Sequence, residues 1–187
     1  MASCVVELLS HRVEEKRGGA QMKVLVTYYT QTGNTKRVAE AICDEIGDSA
    51  ESKALADVES LDGYDLAFVG FPIMAFSPAK PAKDFLEAHA AGKRVALFIT
   101  HAAAEENEIL DEWVAKCKDA AAGAELVGTF NCQGELSEQV AELLAGSEDP
   151  GLREFGQARQ ETLGQPDETR LAKARAFASE IVETLKD

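Results

Sequence analysis

Short apolar runs alternate with segments of helical periodicity along most of this chain. Residues 24–29, 66–70 and 95–100 are nearly continuous runs of apolar, β-branched and aromatic side chains, which is typical of strands covered on both faces. Between the first two runs, residues 35–46 place their apolar side chains on one face of a helix. Strands that alternate with helices imply right-handed crossovers, so the pattern predicts a parallel sheet.

The remaining segments complete a sheet of five strands. Further strands are predicted at residues 52–55 and 124–130, and further helices at residues 81–91, 109–122, 137–144 and 167–185. Five parallel strands with helices on both faces predict a three-layer α/β sandwich with the strand order 2-1-3-4-5. Residues 147–165 are rich in glycine and charge, and we expect them to form a loop.

The N-terminal residues differ from the rest of the chain. Residues 1–21 show no clear register, and residues 12–17 are a dense charge run, whereas the first predicted strand follows directly on Met22. We therefore expect residues 1–21 to be a poorly ordered extension and residues 22–187 to form one folded domain with a C-terminal helix. A regulatory or docking arm is the alternative for the extension.

The charge balance restricts the class of partner. Acidic residues outnumber basic residues by 33 to 19, and the formal net charge is −14. Nucleic-acid binders need Lys and Arg to displace phosphate counterions, so this balance argues against a nucleic-acid partner. Opposite charge speeds encounter, so the balance suits a protein that meets basic partner surfaces. Solubility alone is an equally good reason for an acidic chain.

Four cysteines are scattered through the chain: Cys4, Cys43, Cys117 and Cys132. None of them forms a C-x-x-C pair, so a zinc ribbon or metal cluster has no support, and we expect no bound metal. Scattered single cysteines are typical of small buried side chains in a reducing compartment. No apolar run approaches the roughly 20 residues of a membrane helix, so we expect a cytoplasmic protein without membrane contact.

A polar loop joins the first predicted strand directly to the first predicted helix. It consists of Thr30, Gln31, Thr32, Gly33, Asn34 and Thr35. A helix N-terminus offers unpaired N–H groups and a positive dipole end, glycine permits a tight turn, and the side chains add neutral donors. The loop lacks both the lysine of a nucleoside triphosphatase loop and the G-x-G-x-x-G dinucleotide pattern. It predicts a phosphate site; a helix cap without a ligand is the alternative.

The pattern T-x-T-G-N-T after an apolar strand resembles the phosphate loop of the flavodoxin family, and the resemblance covers most of the chain from Met22 onward. It implies that FMN binds at this loop through neutral donors. Residues 70–76 with Pro78 resemble the second flavin loop of the family, and residues 100–104 occupy the position of the third. The implied contacts are Pro72, Ile73, Met74, Ala75 and Phe76 in the second loop, and Thr100, His101, Ala102 and Ala103 in the third.

The aromatic residues depart from the family pattern. Short flavodoxins usually flank the isoalloxazine ring with Trp and Tyr, and neither residue occurs in the second or third loop here. The lone Trp113 lies in a predicted helix, and we expect it in the core. Ring contacts would then come from Met74, Phe76 and the region of His101. The alternative is that Met74 and Phe76 only plug the end of the sheet.

No side chain stands out as a catalytic group. His101 near a flavin could hydrogen-bond the ring or carry a proton, but a solvated loop histidine is the simpler interpretation, because no acid/base partner is evident. Glu105 and Glu106 equally suit the N-terminus of the following helix. Cys132, at the end of the fifth predicted strand, has no activating base, so a structural role is expected.

Two functions on this fold remain open. The first is an FMN-binding electron carrier or redox subunit that passes electrons to a partner enzyme through transient contact with a basic face. The second is an NAD(P)H-dependent quinone or azo-type oxidoreductase, for which the small residues 102–104 could leave space above the flavin. A flavin-free scaffold is a third reading, against which the intact threonine loop argues.

Overall fold

Five parallel strands form the central sheet of the computed structural model, which describes residues 21–186. In chain order the strands are β1 (Val24–Tyr28), β2 (Ala50–Ala54), β3 (Leu66–Met74), β4 (Ser77–Pro78), β5 (Arg94–His101) and β6 (Glu125–Gln133). The sheet order is β2-β1-β3-β5-β6, and the two-residue β4 pairs only with β3, antiparallel. With β4 set aside, this order is the predicted 2-1-3-4-5, and the predicted fold class is confirmed.

Helices cover both faces of the sheet. They are α1 (Asn34–Ile46), α2 (Lys80–His89), α3 (Ile109–Asp119), α4 (Glu138–Ala145), α5 (Pro150–Gln157) and α6 (Glu168–Thr184). Side chains alternate along a strand, so Val26 and Phe68 pack under α1 and α6, whereas Leu25 and Val69 pack under α2 and α3. The two resulting apolar cores make the three layers of the sandwich.

Residues 147–165 correct the sequence prediction, because they do not form a loop. They contain α5 and a 3₁₀ segment, Ala158–Thr162. The Asp149 side chain accepts a hydrogen bond from the Leu152 N–H, and Pro150 occupies the first helical position, where its missing N–H costs nothing. The prediction of a loop was wrong, because this N-terminal cap stabilises a helix despite the glycine and charge of the segment.

The N-terminal extension predicted for residues 1–21 lies outside the described residues, apart from Gln21. The side-chain amide of Gln21 donates a hydrogen bond to the hydroxyl of Ser49, 2.7 Å away. Within residues 21–186, no helix combines the length and the apolar character that a bilayer crossing requires.

Candidate functional site

The loops that follow β1, β3 and β5 surround one cleft of about 350 Å³. In this sheet order β2 is added on one side of β1 and all later parallel strands on the other, so the strand order reverses between β1 and β3. Ligands of open parallel sheets bind at such a point. The volume lies within the range of small-molecule sites. All the site residues predicted from the sequence line this cleft except Gly33 and Ala103.

The first loop ends in a helix start with free amides. Gly33 caps α1 with a φ of +92°, a left-handed conformation that glycine adopts without strain. The first backbone hydrogen bond of the helix runs from the Arg37 N–H to the Gly33 carbonyl, at 3.0 Å. The N–H groups of Asn34, Thr35 and Lys36 therefore make no backbone hydrogen bond within the helix and remain available to an anion. We call this start of α1 the floor of the cleft.

Three polar side chains of this loop hold the protein itself together. The Thr30 hydroxyl accepts from the Gly33 N–H at 3.0 Å, and the buried Thr35 hydroxyl lies 2.9 Å from the Thr100 hydroxyl. The Asn34 amide donates to the Glu135 carbonyl at 2.8 Å, which ties the loop to the end of β6. Within the described part of the chain, the exposed Thr32 side chain has no such bond. The Thr32 hydroxyl is therefore free to donate to a ligand, and so is the O–H of Thr30, which only accepts from Gly33.

The second loop is a tight hairpin rather than an open loop. β3 continues to Met74, which pairs with Ser77 across a two-residue turn. Both turn residues, Ala75 (φ +47°) and Phe76 (φ +63°), adopt the left-handed conformation that such turns require, although neither is glycine. This conformation costs free energy for residues with a Cβ atom, and such costs cluster at ligand sites.

An aromatic pair stands beside the hairpin tip. Phe76 is 44% exposed, and its ring centroid lies 5.0 Å from that of Trp113 in α3, at an interplanar angle of 37°. Trp113 is buried in the core, as expected from the sequence, and it also lines the cleft. No local pattern indicates this position beside the cleft, because only the tertiary packing of α3 brings Trp113 to the hairpin.

The helices α4 and α5 also line the cleft. Val140 and Leu144 of α4 and Leu152 and Phe155 of α5 contribute the lining side chains. None of these residues was predicted in the site: Leu152 and Phe155 fall in the predicted loop, and no local pattern places the predicted helix of Val140 and Leu144 beside the cleft. The apolar spacing Leu152–Phe155, behind a capped proline, was the signal that could have found the second helix.

His101 is buried, with 4% of its surface exposed, so the interpretation as a solvated loop residue was wrong. β5 extends to His101, which pairs with Gln133 on β6. Its Nδ1 lies 3.0 Å from the Ala103 carbonyl oxygen, and its Nε2 lies 3.0 Å from the side-chain oxygen of Asn131. Burial lowers the pKa of His101, and these hydrogen bonds oppose that shift only in part. The neutral ring thus fixes the third loop and faces the cleft.

Two other sequence interpretations concern the surroundings of His101. Glu105 does not cap a helix; its carboxylate accepts from the Arg170 guanidinium at 2.7 Å and so links the third loop to α6. Burial raises the pKa of Cys132 to about 12. The Cys132 thiol is therefore protonated near neutral pH, which agrees with the expected structural role.

Known proteins resemble this chain in sequence and in fold. A family model described as a flavodoxin domain matches residues 25–179. The flavodoxin-like domain-containing protein BilS of Clostridioides difficile (strain CD3) is 32% identical over 174 residues, which cover 86% of this chain and 97% of that protein.

Solved structures share the fold. A flavodoxin from the domain Archaea matches with a TM-score of 0.55 at 20% identity, over 89% of this chain and 100% of that one. Oxidised flavodoxin 2 from Bacillus cereus matches with a TM-score of 0.57 at 21% identity, over 87% of this chain and 99% of that one.

Proposed function

The chain belongs to the flavodoxin domain family, and from that premise we propose that it binds FMN and works as an electron carrier or redox subunit for a partner enzyme. The observation that carries the proposal is the glycine-capped start of α1, whose free amides lie at the floor of the cleft. When bound, FMN would supply the electron transfer, while the protein holds and tunes it.

The residues present fit the two ends of FMN. The amides of residues 34–36 and the Thr32 hydroxyl are neutral donors, which suit a phosphate monoester at a helix N-terminus. The one carboxylate in the lining, Glu135, is turned to the Arg159 guanidinium at 3.2 Å and to the Gly164 N–H at 2.9 Å, so it is neutralised locally. The apolar side chains at the mouth of the cleft, among them Met74, Phe76 and Trp113, suit the isoalloxazine ring.

The surface charge supports a basic-faced redox partner. The segment between β5 and α3 and the first turn of α3 carry five acidic residues and no Lys or Arg. Glu105 is paired with Arg170 and Glu112 with Lys116, and the other three are Glu106, Glu108 and Asp111. The exposed Glu138 and Glu142 lie on α4, beside the cleft. Such charge steers a basic surface toward the flavin and gives a weak, fast contact.

A quinone or azo-type NAD(P)H oxidoreductase is the second candidate. The small residues Ala75 and Ala102 and the apolar mouth of the cleft favour it, because they leave room for a flat substrate. Consumption of NAD(P)H by the isolated protein with a quinone would support the enzyme. Inactivity without an added reductase would support the carrier.

The test begins with the purified protein, which should be yellow and release FMN in acid. Thr32→Val should weaken FMN binding about tenfold but leave riboflavin binding unchanged, because it removes one donor to the phosphate. Thr184→Val, at the far end of α6, is the matched control and should bind FMN like the wild type. A wild-type protein that takes up no added FMN would refute the proposal.

A further inference from the structure

We propose that the helix pair α4–α5 is one wall of the ring site, so that the isoalloxazine lies between this wall and the Phe76–Trp113 pair. The inference rests on the proposed function and assigns a binding role to two helices outside the three strand-end loops. The wall would contact a planar, uncharged aromatic ring that belongs to a ligand whose phosphate binds at the start of α1.

The apolar side chains of the pair are directed to the cleft. Val140 and Leu144 are four residues apart in α4, and Leu152 and Phe155 are three apart in α5, so each couple shares a helix face. All four line the cleft. Leu143, next to Leu144, is 75% exposed and lies outside the lining. The inner face of the pair is thus uncharged and apolar, as a flat aromatic ring requires.

The two helices form one rigid unit. Gly156 in α5 lies against the backbone of α4: a Cβ atom there would come within 2.6 Å of the Ala141 carbonyl oxygen and the Ala145 nitrogen. The Arg153 guanidinium donates to the Ser147 carbonyl at 2.9 Å and closes the connection between the helices. These contacts hold α4 and α5 together, and Phe155 packs the pair against the core of the sheet.

The base of the wall is attached to the phosphate loop. Asn34, at the start of α1, donates to the Glu135 carbonyl, and Arg159 donates to the Leu136 carbonyl at 3.1 Å. The Leu136 N–H in turn donates to the buried Thr162 hydroxyl at 3.0 Å. One polar network thus sets both the floor that suits the phosphate and the position of the wall. A ligand with its phosphate on the floor extends into the space between the wall and the hairpin.

The wall exposes apolar surface that a ring would cover. Val140 is 41% exposed and Phe76 is 44% exposed, and both side chains line the cleft. Covering such surface is favourable in proportion to its area and excludes water from the ring. The start of α1 and the apolar side chains of the wall line the same cleft. We therefore assign the ring of FMN, whose phosphate binds the start of α1, as the group that covers this surface.

The experiment compares FMN and riboflavin, which share the ring and differ in the phosphate. Leu144→Gln should weaken both flavins by the same factor, about tenfold, because it removes apolar contact with the ring alone. Leu143→Gln makes the same chemical change one residue away, outside the cleft, and should bind both flavins like the wild type. Binding is measured by flavin fluorescence and by quenching of the single tryptophan, Trp113, which lines the cleft.

The outcomes separate the inference from the proposed function. Wild-type affinity for both flavins in Leu144→Gln, with unfolding like that of the wild type, would show that the wall serves another occupant and would overturn the inference alone. Loss of FMN binding with riboflavin binding intact would also overturn it. If Leu144→Gln is poorly folded, Phe155→Leu provides the same comparison. A wild-type protein that binds neither flavin would refute the proposed function first.

Discussion

Among single residues, the buried hydroxyl pair Thr35–Thr100 gives the sharpest expectation. Thr35→Val or Thr100→Val alone leaves the other hydroxyl buried without its partner, which should lower the free energy of unfolding by about 1–3 kcal/mol. The double variant should cost less than the sum of the two, because both hydroxyls are gone. Urea unfolding of the four proteins measures this coupling.

Thr27 is the control for that pair. Its hydroxyl is buried and has no hydrogen-bond partner among the described residues. Thr27→Val keeps the branched shape of the side chain and removes only this unpaired group, so it should leave stability unchanged or raise it by about 1 kcal/mol. If the losses of unfolding free energy in Thr35→Val and Thr100→Val simply add in the double variant, the two hydroxyls do not stabilise the protein through a hydrogen bond to each other.

His101, in the third loop, should make the free energy of unfolding depend on pH. Because burial lowers its pKa in the folded state, the unfolded chain takes up a proton as the pH falls through about 6.5 while the folded protein does not. The stabilisation from the neutral ring is complete above that pH and is lost on acidification toward the folded pKa. The lowered pKa of Asp167 acts in a separate, more acidic window, below its usual value of about 4.

We therefore expect wild-type stability to fall between pH 7 and pH 5 and to fall less in His101→Gln. The glutamine can still hydrogen-bond but has no proton to gain in this range. Urea unfolding at intermediate pH values compares the two slopes. Equal slopes would mean that His101 titrates alike in the folded and unfolded states.

At the scale of elements, the sequence predicted the sheet better than the cleft mouth. Apolar runs such as residues 66–70 identified the strands, because a strand buried on both faces needs apolar side chains throughout. The same criterion ended β3 too early, at Gly70. β3 continues to Met74 because β4 pairs back on it, a contact that no local pattern encodes.

The helix pair α4–α5 shows why part of the cleft could not be predicted from the sequence. Gly151 and Gly156 lower helix propensity, so α5 resembled a loop in sequence. Gly156 is present because the α4 backbone leaves no room for a Cβ atom. A residue that weakens a helix locally is thus the one that lets it pack, and only the partner helix shows it.

Gly156→Ala should separate these two effects. Helix propensity alone would make the alanine stabilising, but the Cβ clash with α4 should lower the free energy of unfolding by about 1–3 kcal/mol. Hydrogen exchange should rise in residues 137–157. Gly146→Ala is the control, because its Cβ would meet the nearest atoms at 3.6 Å or more, with φ at −84°. A stabilised Gly156→Ala would mean that the helices do not cross this closely.

For the whole molecule, the net charge of −14 and the position of the cleft together determine how charged reactants approach a bound flavin. α4 borders the cleft, whereas the C-terminal end of α1 lies at the other edge of the sheet, away from the strand ends that form the site. Exposed acids occur at both places: Glu138 and Glu142 on α4, and Glu45 and Asp48 at the end of α1. Only the first pair is placed to steer a charged reactant to a bound flavin.

Oxidation of the reduced flavoprotein by small charged complexes tests this without a known partner. The rate with a cationic cobalt(III) complex should fall as salt rises, and the rate with ferricyanide should rise, because salt screens attraction and repulsion alike. Removing two charges in Glu138→Gln/Glu142→Gln should flatten both salt dependences. Glu45→Gln/Asp48→Asn removes the same charge at the far edge and should change them little. Equal effects of the two variants would mean that net charge alone, and not an acidic rim at the cleft, governs the encounter.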